Sequence, residues 1–148
     1  MKSPRGLVLG IGLALGLAGC ATMPNASTSY VASGTPTDNQ VIATAVSSYL
    51  GSNFPPGRTT LMIQPVASGS SPLLDQLSAD LRAQGFAVSQ PNSGAAGAIP
   101  VRLTVSQNFG GCVVSIDYGT QEAGTFFGRD TLGILQPSSP FVVREATQ

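Results

Sequence analysis

The sequence predicts a small α+β domain, a two-layer sandwich in which two helices pack on one face of a largely antiparallel sheet. Three observations carry that expectation. Val41 to Leu50 and Leu73 to Leu81 space their apolar residues as one face of a helix. Ile99 to Ser106 alternates apolar and polar residues, and a matching run from Cys112 to Tyr118 answers it across a turn. The order of the signals, helix and strand in turn and then strands in succession, suits helices laid on one side of a sheet. With 148 residues, 18 of them Gly and 11 Pro, the chain makes one domain with generous loops.

The first segment stands outside that domain. Lys2 and Arg5 lead into Gly6 to Leu17, an apolar run too short to span a bilayer as a permanent helix, so residues 1–19 read as a secretory signal peptide. The run ends in Leu17-Ala18-Gly19-Cys20, which resembles the lipobox of bacterial lipoproteins, with the Cys20 thiol as lipid acceptor. Cleavage before Cys20 leaves 129 residues without Lys or His, five basic side chains against seven acidic ones. Each acyl chain contributes about 0.8 kcal/mol per buried methylene, so several on one cysteine give a lasting membrane anchor. Ala21 stands where an Asp would resemble the inner-membrane retention signal of enteric lipoproteins, which favours the outer membrane, with the domain facing the periplasm. Residues 20–37 then read as a flexible tether from the lipidated cysteine, too polar to offset the entropy of ordering and reaching about 20–25 Å as a coil.

Residues 38–148 are the expected α+β domain. Asp38 can N-cap the first helix, with Val41, Ile42, Ala45, Val46, Tyr49 and Leu50 on its apolar face and Gly51 as its stop. Phe54-Pro55-Pro56-Gly57 is a turn, and Thr59 to Gln64 a strand with Leu61 and Ile63 inward. Ser71 before Pro72 is N-cap and N1 chemistry for the second helix, whose Leu73, Leu74, Leu77 and Leu81 share one arc before Gly85 closes it. Phe86-Ala87-Val88 is a short strand. Ile99, Val101, Leu103 and Val105 form the inner face of the main strand; Asn108 to Gly111 turns the chain, and Cys112, Val114, Ile116 and Tyr118 continue the inner face. Thr125 to Leu135 and Phe141-Val142-Val143 are candidates for further strands.

The composition removes several kinds of function. Seven basic residues spread over the whole chain do not make a phosphate-binding patch, so no nucleic acid is expected as a partner. The absence of His excludes a His-based metal site, and two cysteines do not make a disulfide framework. Without His, and without Lys after processing, a Ser, Thr or Cys nucleophile lacks its usual base. Paired carboxylates remain to be weighed, namely Asp75, Asp80, Asp117, Glu122 and Asp130. Asp75 and Asp80 lie about 140° apart around a helix, and the others read as solvated surface charge. Cys112 reads as a small core residue, and Gly94-Ala95-Ala96-Gly97 as an ordinary loop. No catalytic residue, cofactor, metal or small-molecule substrate is therefore expected.

The lipobox, the polar tether, the amphipathic helix, Phe54-Pro55-Pro56-Gly57-Arg58-Thr59-Thr60-Leu61, the Leu73 to Leu81 helix and Gly85-Phe86-Ala87-Val88 together resemble the TrbH family of conjugal-transfer lipoproteins, from Cys20 to Tyr118. The resemblance implies an outer-membrane lipoprotein of a conjugative type IV secretion apparatus, with Cys20 its one transferable functional position and protein subunits of the secretion channel as partners. The alternative is a stand-alone periplasmic envelope or ligand-binding lipoprotein.

Overall fold

The computed structural model describes residues 28–67 and 69–146, so the leader and Cys20 lie outside the described residues. Eight strands and two α-helices follow in the order β1 (Tyr30–Val31), α1 (Pro36–Asn53), β2 (Thr60–Ile63), α2 (Pro72–Ala83), β3 (Ala87–Ser89), β4 (Ile99–Asn108), β5 (Gly111–Tyr118), β6 (Gln121–Arg129), β7 (Leu135–Pro137) and β8 (Val142–Glu145). All strands join one sheet, with β3-β2-β4-β5-β6-β7 as its main path. The pairings from β4 through β8 are antiparallel, while β1, β2 and β3 pair in parallel. This is the expected small α+β sandwich.

The alternation of β4 and β5 sets the core. Val101, Leu103 and Val105 face the helices together with Cys112, Val114 and Ile116, and all six are almost wholly buried. Against them α2 places Leu73, Leu74, Leu77 and Leu81, and α1 places Ile42, Ala43, Val46 and Leu50. Three long strands dominate the sheet, and each outer edge of that trio is shared by two short ones. Along β4, β2 pairs with Ile99 to Val101 and β1 with Thr104 and Val105. Along β6, β8 pairs with Gln121 to Gly124 and β7 with Phe127 to Arg129.

Several boundaries differ from the sequence reading. Helix α1 begins earlier because Pro36 pre-sets the first turn and Thr35 is the N-cap. Asp38 sits at the third helical position, and a reciprocal capping box forms: the Asp38 N–H donates to the Thr35 hydroxyl and the Thr35 N–H to the Asp38 carboxylate, each at 3.1 Å. Gly51 does not stop α1. Phe54 does, in the extended conformation that the following Pro55 favours. Ala43, Ser47 and Gly51, four residues apart, form a stripe of small side chains on a helix that packs on α2, and Gln84 just after α2 reaches Gly51.

The stretch read as tether is built into the fold from residue 28 onward. The Ser29 hydroxyl donates to the Gln64 carbonyl at 2.6 Å and accepts from the Leu103 N–H at 3.1 Å, which carries β1 onto the uncovered upper half of β4. The turn Gly119-Thr120, with Gly119 at φ +58°, starts β6 at Gln121 rather than Thr125.

Candidate functional site

Cys20, the expected lipidation site, lies outside the described residues. The carboxylates do not form a catalytic pair. Asp75 is exposed in the first turn of α2, and Asp80 accepts a hydrogen bond from Gln76. Asp117 and Glu122 stand opposite one another in the β5–β6 register on the sheet face away from the helices. Each is paired outward with an arginine, Asp117 with Arg102 at 2.8 Å and Glu122 with Arg144 at 2.7 Å, so the four residues make a charge-balanced row across β4, β5, β6 and β8. Arg144 holds the Glu122 carboxyl below its ordinary range. Asp130 accepts the Leu132 and Ile134 N–H groups, each at 2.9 Å, and shapes the β6–β7 turn.

Cys112 is a core residue, as its alternation implied. Burial pushes its thiol above the ordinary range and the nearby Asp38 charge adds to that, against the smaller opposing effect of Arg129. It is not an activated nucleophile. Gly94 and Gly97 take positive φ in the exposed loop before β4.

The most developed polar constellation escaped the sequence reading. Arg129 at the end of β6 grips Asp38 with both terminal nitrogens, each bond at 3.0 Å, and also donates to the Gly133 carbonyl at 2.7 Å. Asp38 is 3% exposed. The guanidinium first, and the Thr35 bonds behind it, hold its carboxyl below the ordinary range against the opposing effect of burial. One side chain thus ties the start of α1, the end of β6 and the β6–β7 turn together. A second cluster joins α1 to the sheet: the Tyr49 and Tyr118 hydroxyls lie 2.6 Å apart, with Phe141 tilted on Tyr49 and Phe54 edge-on to Tyr118. Burial, then the Tyr118 hydroxyl, raises the Tyr49 phenol well above its ordinary value. In both clusters the link that matters joins residues distant in sequence, Asp38 with Arg129 and Tyr49 with Tyr118, and no local motif announces it.

The surface open to other molecules includes bare backbone edges and apolar side chains. All four residues of β8 are exposed, including Val142 and Val143, and no strand among the described residues pairs with its outer edge. On the opposite side, residues 29–34 and the loop leading into α2 line a groove of about 560 Å³.

These features define a small α+β domain whose paired and buried ionisable groups serve the fold and whose β8 edge is open. The chain belongs to the TrbH family: the family's sequence model, described as conjugal transfer protein TrbH, matches residues 22–146. The match runs past Tyr118 and takes in β6, β7 and β8. Comparison with curated proteins and with solved structures gives no match. The chain is thus a component of conjugal transfer by type IV secretion, from a family of accessory parts.

Proposed function

We infer that this chain is an outer-membrane lipoprotein of the mating-pair-formation apparatus, anchored through acylated Cys20 with its domain in the periplasm, and that it acts by binding protein subunits of the secretion channel. The observation that carries the binding half is β8. An edge strand exposed along its whole length, with two β-branched apolar side chains, is a ready template for an extended segment of a partner. Support for the anchor comes from the Leu17-Ala18-Gly19-Cys20 ending of the leader. Anchoring raises the effective concentration for any partner in the same membrane, so a short strand contact suffices.

The test pairs two lesions with gene deletion. Val142→Asp with Val143→Asp places charge on an exposed edge, and Cys20→Ser removes the lipid acceptor; both should reduce recovery of channel subunits and plasmid transfer. Normal transfer from the double edge variant, with deletion abolishing it, would move the docking site away from β8. Normal transfer after deletion would favour the stand-alone envelope lipoprotein.

A further inference from the structure

The end of the sheet where α1 begins holds three large apolar side chains out of the fold. Phe109, in the β4–β5 turn, is fully exposed; Leu132, in the β6–β7 turn, is 82% exposed and Ile134 38%. The two turns are neighbours, joined by the Arg129 N–H to the Gly110 carbonyl at 2.8 Å.

Neither turn can fold its side chains inward without breaking hydrogen bonds. Phe109 leaves a two-residue hairpin with Gly110 at φ +77°, and its own N–H is held by the Asn108 side chain at 2.7 Å. Leu132 and Ile134 are fixed by the Asp130 carboxylate, and Arg129 grips the Gly133 carbonyl between them. The only carboxylate in the two turns is occupied by backbone N–H groups, so the tip presents carbon rather than charge. The other end differs: Arg58, Arg82 and Glu145 are exposed there, beside the polar Gly119-Thr120 turn.

Chain length allows the tip to meet the membrane that would hold Cys20. Ser29 is level with Leu103, six residues of β4 below Phe109 or about 20 Å. Ser29 lies nine residues after Cys20, and nine steps of extended chain reach at most about 30 Å. β1 runs parallel to β4 and so towards the tip, which means the chain before Ser29 has to double back; with that reversal a lipid on Cys20 still lies within reach of the plane of the tip. We propose that Phe109, Leu132 and Ile134 dip into the phospholipid surface that holds the anchor, as a second point of attachment that fixes the domain's orientation. The proposal rests on the anchoring inferred above. Acyl chains and an apolar protein tip reinforce one another because both bury carbon in the same leaflet.

The chain has no tryptophan, so Phe109→Trp supplies a single reporter at a position that touches no core. The full-length product, extracted from membranes and reconstituted into phosphatidylethanolamine and phosphatidylglycerol vesicles, should float with them. Its emission should move to shorter wavelength and be quenched when the acyl chains carry bromine. Adding Leu132→Asp should weaken the quenching, and a Trp placed instead by Thr120→Trp should show none. Protein that floats without quenching overturns the tip contact and leaves the anchor standing. Protein that does not float removes the anchor, and the tip proposal with it. A shift seen only on adding secretion-channel subunits makes the tip a protein-binding site and overturns the lipid assignment.

Discussion

Asp38 shows how one residue type serves two ends. As an acid in the first turn of α1 it caps the backbone, and as a buried anion it needs Arg129. Its folded-state pKa lies below its unfolded value, so the stability it contributes is complete above about pH 4 and is lost as pH falls through the lower, folded value. In Arg129→Gln that contribution shrinks. The melting-temperature gap between wild type and variant should therefore be widest near neutral pH and close on acidification; a gap independent of pH would show that the ion pair is not the cause. Thr35→Ala removes the hydroxyl half of the capping box and should cost about 1 kcal/mol in denaturant melts. The sequence revealed an acid at the start of the helix and made it the cap; Thr35, three residues earlier, takes that place because Pro36 suits the first helical position and carries the helix back to it. Arg129 could not be found at all: its partner is 91 residues away.

At the scale of elements, legibility followed periodicity. α2, β4 and β5 could be read because burial on one face imposes a repeat, of 3.6 residues in the helix and 2 in the strands. β1 could not, being two residues long and pinned by one serine. Nor could the run of α1 through Gly51, since the glycine there meets a neighbouring side chain rather than ending the helix. Leu77→Ala in the centre of the α2 stripe should cost about 2–5 kcal/mol by chemical denaturation, with the slope of the transition unchanged. Gly111 is the stricter position. A Cβ there overlaps the Phe127 carbonyl oxygen and presses on the Phe126 ring, so Gly111→Ala should part β5 from β6 and yield insoluble protein, whereas Gly57→Ala, which meets nothing, should be silent.

For the whole molecule, the boundary between tether and domain matters most. A truncation that starts at residue 28 keeps Ser29, β1, the Thr35 cap and Pro36; one that starts at residue 38 removes all four and uncovers the edge of β4 at Thr104 and Val105. The longer form should melt cooperatively as a monomer, and the shorter one at a lower temperature with a tendency to associate through the bared strand. Equal melting of the two would mean that β1 adds nothing. The same feature has a mechanical side. Any load reaching the domain through the preceding chain arrives first at Ser29, whose N–H holds the Pro65 carbonyl at 2.7 Å and whose hydroxyl bridges Gln64 and Leu103. Because β1 runs alongside β4 in parallel, a pull directed back along β1, away from the Phe109 end, shears these bonds together instead of peeling them one at a time. Ser29 thus acts as a latch at the entrance to the fold, and the force at which the domain first gives way in a stretching experiment is set there rather than in the core.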